Sequence, residues 1–276
     1  MNLPVGSGDS TSHLTTSSGE RKRVMGHLGH RTTNSGFRGA ARRAAESFRR
    51  KRSAGSRVIA VSGIDYAGKS TQIALLKERL DRSGQNPVVV WYRPGYSPIM
   101  NALRSGARKL RPSSLPTAEQ EGRREAAFSR RWIRTLWLWL AIADSFVTFA
   151  IVVRWLGFRG HMVICDRYVN DAILDLDLRF PSEGVTTWRL LRLLRRSAPR
   201  PCVSLLLVLE WDEMLRRLEQ KVEPFPDSPD VRAVRFRRYQ ELKSTSDATV
   251  IDACQPIELV HRDIMDRVRR VLADGS

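Results

Sequence analysis

Cysteine is scarce. Cys165, Cys202 and Cys254 are the only three in 276 residues, an odd number with no C-x-x-C spacing. That argues against a disulfide framework or a zinc site and fits a reducing cytoplasm. The apolar core of a secretory signal is also missing, since Met1 to Gly36 is mostly Ser, Thr, Gly and His; its Arg and Ser content resembles that of an organellar transit peptide. No internal repeat is present. Acidic side chains are outnumbered, 29 Asp and Glu against 47 Lys and Arg, for a formal net charge of +18. Residues 1 to 56 hold 11 Lys and Arg against 3 Asp and Glu, so the tail is the more basic part per residue. Such a balance suits nucleotides, nucleic acid or an anionic membrane surface and does not choose among them.

What the sequence does have is enough apolar content, 42%, for one sizeable core. The expected organisation is a disordered basic extension over 1–56 and one folded domain over 57–276. Within the extension, Phe37, Ala40, Ala41, Ala44, Ala45 and Phe48 share a helical face among Arg42, Arg43, Arg49, Arg50, Lys51 and Arg52. It would fold on nucleic acid or an anionic membrane, or else serve as a solvated basic linker.

The stretch that carries chemistry is Arg57 to Gln72, RVIAVSGIDYAGKSTQ. An apolar run, Val58 to Val61, leads into Gly63, Ile64, Asp65, Tyr66, Ala67, Gly68, Lys69 and Ser70, which satisfies G-x-x-x-x-G-K-[ST]. Helical periodicity follows, with Ile73, Leu75, Leu76 and Leu80 falling on one face. That strand, loop and helix context is what a phosphate-binding loop needs. Its glycines let backbone N–H groups close around phosphate oxygens, and the helix N-terminus points its positive end at the same anion. Lys69 adds a full charge toward the β and γ phosphates, Ser70 is placed to ligand Mg²⁺, and Thr71 follows in the same turn. The cofactors expected are ATP and Mg²⁺.

Further strands are predicted over Asn86 to Tyr92, His161 to Cys165, Cys202 to Leu209 and Ala248 to Ile251. The second ends at Arg93-Pro94-Gly95, and the third delivers Asp166-Arg167-Tyr168, a Walker-B-like arrangement that brings a carboxylate to the Mg²⁺ held at Ser70. Arg167 is placed to stabilise the transferring phosphoryl group. Residues 104–131 read as a helical or loop insertion. Leu136 to Val153 holds a single charge, Asp144, in 18 residues, close to the minimum for a membrane span. A buried core helix is the favoured reading, because a span would draw the Asp166 strand away from the phosphate loop. Trp137, Trp139 and Trp155 suggest a subunit interface, hence a homodimer. Trp188 to Arg196 and Glu213 to Gln220 read as helices. A flap over about 216–235, broken by three prolines and flanked by Arg216, Arg217, Lys221, Arg232 and Arg235, is placed to close over phosphates; Arg216 and Lys221 are the phosphate-binding candidates within it.

Together these features resemble the thymidylate kinase family, a branch of the P-loop nucleoside monophosphate kinases, from about Arg57 to Leu272. GIDYAGKSTQ is similar to its phosphate loop, RPG to its acceptor-phosphate loop, VICDRY to its DR-aromatic motif, and VIDA with PIELV to its C-terminal element. The resemblance implies an α/β P-loop kinase fold, a five-stranded parallel sheet flanked by helices, with a nucleoside monophosphate as acceptor and dTMP as the default. It also implies that Asp65 holds the acceptor sugar hydroxyl, Arg93 the acceptor phosphate and Arg167 the transferred group. The departures concern the acceptor: Ser145 stands where the family carries a thymine-reading Arg, Tyr66 replaces Gly or Arg, and VNDAILDLDL lacks the aromatic expected near the sugar. Two alternatives follow, a different nucleotide or non-nucleotide acceptor, and a non-catalytic ATP-binding switch or scaffold at the membrane.

Overall fold

The structure is a computed structural model that describes residues 56–97, 100, 105, 130–220 and 227–274. The expectations for the N-terminal extension, for nearly all of the 104–131 insertion and for Lys221 lie outside the described residues.

Five strands form one parallel sheet in the order β2-β3-β1-β4-β5. They are β1 (Val58–Gly63), β2 (Pro87–Trp91), β3 (Met162–Asp166), β4 (Val203–Val208) and β5 (Thr249–Asp252). Each falls within a residue or two of its expected run. The runs are continuously apolar because both faces of the sheet are covered, as a parallel sheet requires. In β1 alternate side chains serve opposite cores: Ile59 and Val61 pack with Ile164, Leu205 and Leu207, while Val58 and Ala60 pack with Val163 and Cys165.

The first core is closed by α1 (Lys69–Arg82) through Ile73, Leu76 and Leu80, with contributions from Met214, Tyr239, Val260, Ile264 and Val268. Those belong to α5 (Trp211–Gln220), α6 (Pro229–Thr245) and α7 (Ile257–Asp274). The second core is closed by α2 (Arg131–Phe146), α3 (Val169–Arg179) and α4 (Arg189–Ser197). Helix α2 continues through a π-helical segment, Val147–Val153, into a last helical turn, Arg154–Phe158. It is long and apolar enough to cross a membrane by length and composition. Yet Leu138, Ala141, Ile142, Ser145, Phe149 and Val153 on one face are fully buried against the sheet and its neighbours, which is the core-helix arrangement.

Two helices were not anticipated. VNDAILDLDLR forms α3, capped at Tyr168 by Asp171, which accepts from the Tyr168 N–H at 2.8 Å. The C-terminal part of the expected flap is regular structure, because Pro229 occupies the first turn of α6 and Ser228 caps it. Residues 216–220 likewise belong to α5, leaving 221–226, outside the described residues, as the connection.

Candidate active site

Strand β1 lies between β3 and β4, so the loop leaving its C-terminal end sits where the strand order divides, the usual ligand-binding position in an open parallel sheet. Gly63 is packed so tightly against β4 that a Cβ would stand 2.4 Å from the Leu207 carbonyl oxygen, at φ 148°. Gly68, at φ 76°, meets no such obstacle; there the backbone turn alone demands glycine before α1 begins. Tyr66 adopts a left-handed φ of 69° as well.

The Lys69 ammonium is buried. It donates to the Ile64 carbonyl at 2.6 Å and lies 3.9 Å from Asp65 Oδ1. Burial, aided by the nearby Arg167 charge, lowers its pKa to about 8. Burial alone would raise the Asp65 carboxyl; Arg167, Lys69, Arg235 and Arg93 outweigh it and hold Asp65 at about 2.

Parallel pairing of β3 with β1 sets Asp166 level with Val61, and the Arg167 N–H bonds to the Val61 carbonyl at 3.0 Å. Arg167 turns back at φ 72° so that its guanidinium pairs with Asp65, while Nη1 stands 3.7 Å from Asp175. Arg235, from α6, pairs with Asp175, with Asp227 at 2.7 Å, and lies 3.9 Å from Asp65. Arg93 Nε is 3.9 Å from Asp175. One lysine and three arginines thus converge at the C-terminal edge of the sheet, balanced by Asp65 and Asp175. Among the described residues Asp166 Oδ1 is buried with no hydrogen-bond partner, and burial raises the Asp166 pKa even with Lys69 and Arg167 nearby. Ser70 stands exposed in the first turn of α1.

The cluster is held from behind by Asp171, whose carboxylate accepts from Ser62 Oγ, from the Tyr168 N–H and from the Tyr239 hydroxyl at 2.7 Å. Asp171, Asp175 and Tyr239 escaped the sequence-based reading, because α3 and α6 were not foreseen. Both carboxylates lie four apart on α3, and that spacing was the available signal. Arg235 was foreseen only as a flap residue. Arg216 does not join the cluster: its side chain is 58% exposed and pairs with Glu213 at 2.7 Å. Its neighbour Arg217 reaches the phosphate loop instead, donating to the Tyr66 carbonyl at 3.3 Å and to the Ala253 carbonyl at 2.8 Å. A groove runs from Arg57, Cys202 and Thr249 at the N-terminal edge of the sheet to Ser62 and Tyr168 behind the cluster, and Lys69, Arg93, Arg167, Arg235, Asp65 and Asp175 do not line it.

The chain matches no family model. It is 27% identical over 217 residues to a protein of Archaeoglobus fulgidus named "Probable thymidylate kinase", an alignment covering 78% of this chain and 94% of that one. It is 31% identical over 116 residues to the thymidylate kinase of Citrifermentans bemidjiense, covering 42% and 43%. The chain is thymidylate kinase-like.

In this thymidylate kinase-like chain, position 145 is closed off. Ser145 is fully buried, its hydroxyl 2.8 Å from the Ala141 carbonyl and 2.7 Å from the Tyr92 hydroxyl. The neighbouring Asp144 accepts from Tyr92 at 3.2 Å and from Ser97. Tyr92 in turn packs edge-on against Phe149, with ring centroids 4.8 Å apart. An arginine at 145 would have to displace this network, so the site offers it no ready-made room.

Proposed function

We propose that the chain is an ATP-dependent nucleoside monophosphate kinase, with dTMP as the default acceptor. The observation that carries this reading is the convergence of Lys69, Arg93, Arg167 and Arg235 beside the phosphate loop. Four cations gathered at one sheet edge suit a substrate pair rich in phosphate oxygens.

Phosphoryl transfer asks little covalent chemistry of a protein, so the residues work by alignment and charge neutralisation. The phosphate loop and Lys69 bind the donor phosphates. Arg93 aligns the acceptor, and Arg167 faces the group in transit. Asp65 and Asp175 hold the arginines in place, so phosphate oxygens would take the places of carboxylate oxygens with little rearrangement of the guanidinium groups. Mg²⁺ characteristically takes one or two protein oxygens together with substrate phosphates and water. Ser70 and Asp166, with its unpartnered buried Oδ1, fit that demand. When bound, the ion supplies positive charge between the donor phosphates.

The test is direct detection of nucleoside diphosphate from ATP, Mg²⁺ and a panel of nucleoside monophosphates. Diphosphate formation that disappears in Lys69→Ala is the expected result. A chain that binds ATP and phosphorylates no member of the panel refutes the acceptor class. A second reading, an acceptor other than dTMP, is favoured by the buried Ser145 network, and a preference within the same panel for another base would establish it.

A further inference from the structure

Two buried atoms beside the phosphate loop are short of what their chemistry requires. Among the described residues Asp175 Oδ2 and Arg167 Nη1 have no hydrogen-bond partner, in side chains only 8% and 7% exposed. They stand 3.7 Å apart, and Arg93 Nε lies 3.9 Å from the same carboxylate oxygen. Neither distance is a hydrogen bond. The other carboxylate oxygen, Oδ1, is engaged by Arg235. A buried acceptor and a buried donor left in this state are each penalised, and such exceptions call for a partner.

The pair selects the chemistry of that partner. A phosphate oxygen would satisfy Arg167 and set anion against anion at Asp175, and an ammonium would do the reverse. A hydroxyl donates to the carboxylate oxygen and accepts from the guanidinium. Arg93 lies over this oxygen, with its side chain 36% exposed beyond the end of β2. A phosphate that draws Arg93 away removes a cation from Oδ2 and opens the oxygen to the hydroxyl. The hydroxyl therefore belongs to the molecule whose phosphate Arg93 aligns.

Asp65 supplies a second acceptor at the same place. Its Oδ1 pairs with Arg167, and its Oδ2 lies 3.9 Å from Arg235. Arg167 and Arg235 each reach both Asp65 and Asp175, so the two carboxylates stand side by side. Neighbouring acceptor oxygens match neighbouring hydroxyls, as in the vicinal diol of a ribose, and a carboxylate is the group that reads ribose hydroxyls in dinucleotide sites. A 2′-deoxyribose has lost one hydroxyl of the pair.

We propose that the acceptor is a ribonucleoside monophosphate and that Asp175 selects it over the 2′-deoxy form. This rests on the kinase reading above and takes its second branch, an acceptor other than dTMP. The bond broken joins the γ-phosphorus of ATP to its bridging oxygen. The bond formed joins that phosphorus to an oxygen of the acceptor 5′-phosphate, giving ADP and a ribonucleoside diphosphate, and the sugar hydroxyls keep their protons. Selection is strong because a deoxy sugar leaves Oδ2 buried and unpaired. Sites built to bond a substrate hydroxyl reject the analogue lacking it far more firmly than apolar pockets reject a missing methylene.

The experiment measures kcat/KM, with ATP and Mg²⁺, for matched pairs: UMP and dUMP, CMP and dCMP, AMP and dAMP, GMP and dGMP, and ribothymidine monophosphate and dTMP. The expected result is a ribonucleotide preferred over its deoxy partner by about a hundredfold or more. In Asp175→Asn the amide oxygen can stay on Arg235 while an N–H donor replaces Oδ2. The preference should then fall to within about tenfold, through a higher KM for the ribonucleotide and little change for the deoxy partner. A variant that lowers both partners alike and keeps their ratio makes Asp175 structural and overturns its assignment. A native preference for the deoxy partner, or none, overturns the inference and leaves the kinase reading standing, with no variant having to fold. Diphosphate from no member of the panel refutes the kinase reading and the inference with it.

Discussion

Lys69 bears a conflict between folding and function. Its ammonium is buried, and its pKa of about 8 lies below the ordinary 10.5. The unfolded chain therefore binds more protons than the folded one between those values, and stability rises with pH across that window. Below pH 8 the nucleotide-free fold carries the full cost of the buried charge, about 3 kcal/mol at 1.36 kcal/mol per pKa step. We predict that Lys69→Met loses phosphoryl transfer by about a hundredfold or more. At pH 7 without nucleotide it should unfold at higher denaturant than the native chain, and the gap should close above pH 8. Denaturant titrations at pH 7 and 9.5 check this; a variant less stable at both would remove the buried-charge cost from the account. The two glycines of the loop make a paired prediction. Gly63→Ala must move the Leu207 carbonyl and should cost roughly 3 kcal/mol or more. Gly68→Ala has open space and should cost about 1 kcal/mol, the left-handed backbone alone. Thermal unfolding of the two variants separates the contributions.

At the scale of elements, α3 and α6 matter most, because each delivers charge to the site from outside the phosphate loop. Asp171 and Asp175 sit on the α3 face turned toward β1 and α6, and Arg235 and Tyr239 answer them from α6. Helix α5 is the clamp on the other side, tying the Tyr66 and Ala253 carbonyls together through Arg217. The consequence is a contrast between neighbours: Arg217→Ala should raise the KM for ATP several-fold, whereas Arg216→Ala, which loses only an exposed local pair with Glu213, should leave turnover and stability unchanged. Steady-state kinetics over an ATP series checks both. Equal effects would mean that Arg216 also reaches the nucleotide in the working enzyme.

At the scale of the molecule, among the described residues the groups expected to hold Mg²⁺ lie at the sheet edge and outside the apolar clusters of the two cores. Chelation of divalent ions should therefore abolish transfer while leaving the melting temperature of the nucleotide-free chain unchanged. Calorimetry with and without chelator measures this, and a large fall would reveal a structural metal.

The amino-acid sequence by itself determined the five strands, the phosphate loop and the order of the motifs along the chain. Those features are local: a parallel strand buried on both faces must be apolar throughout, and a loop wrapped around phosphate must carry glycine where the backbone turns or packs tightly. Lys69, Asp166 and Arg167 were legible for that reason, each adjacent to a strand end. Tertiary structure alone decided which charges meet. Asp65 and Asp175 stand far apart in the chain and share Arg167 and Arg235 only because β1, α3 and α6 pack together. It also decided that Arg217 and not Arg216 faces the loop, since adjacent helical residues point about 100° apart and only packing says which points inward. Ser145 illustrates the same limit. Its place in the chain suggested the acceptor base, and the fold turned it into the core against Tyr92, because burial is a property of neighbours brought together and not of the residue itself.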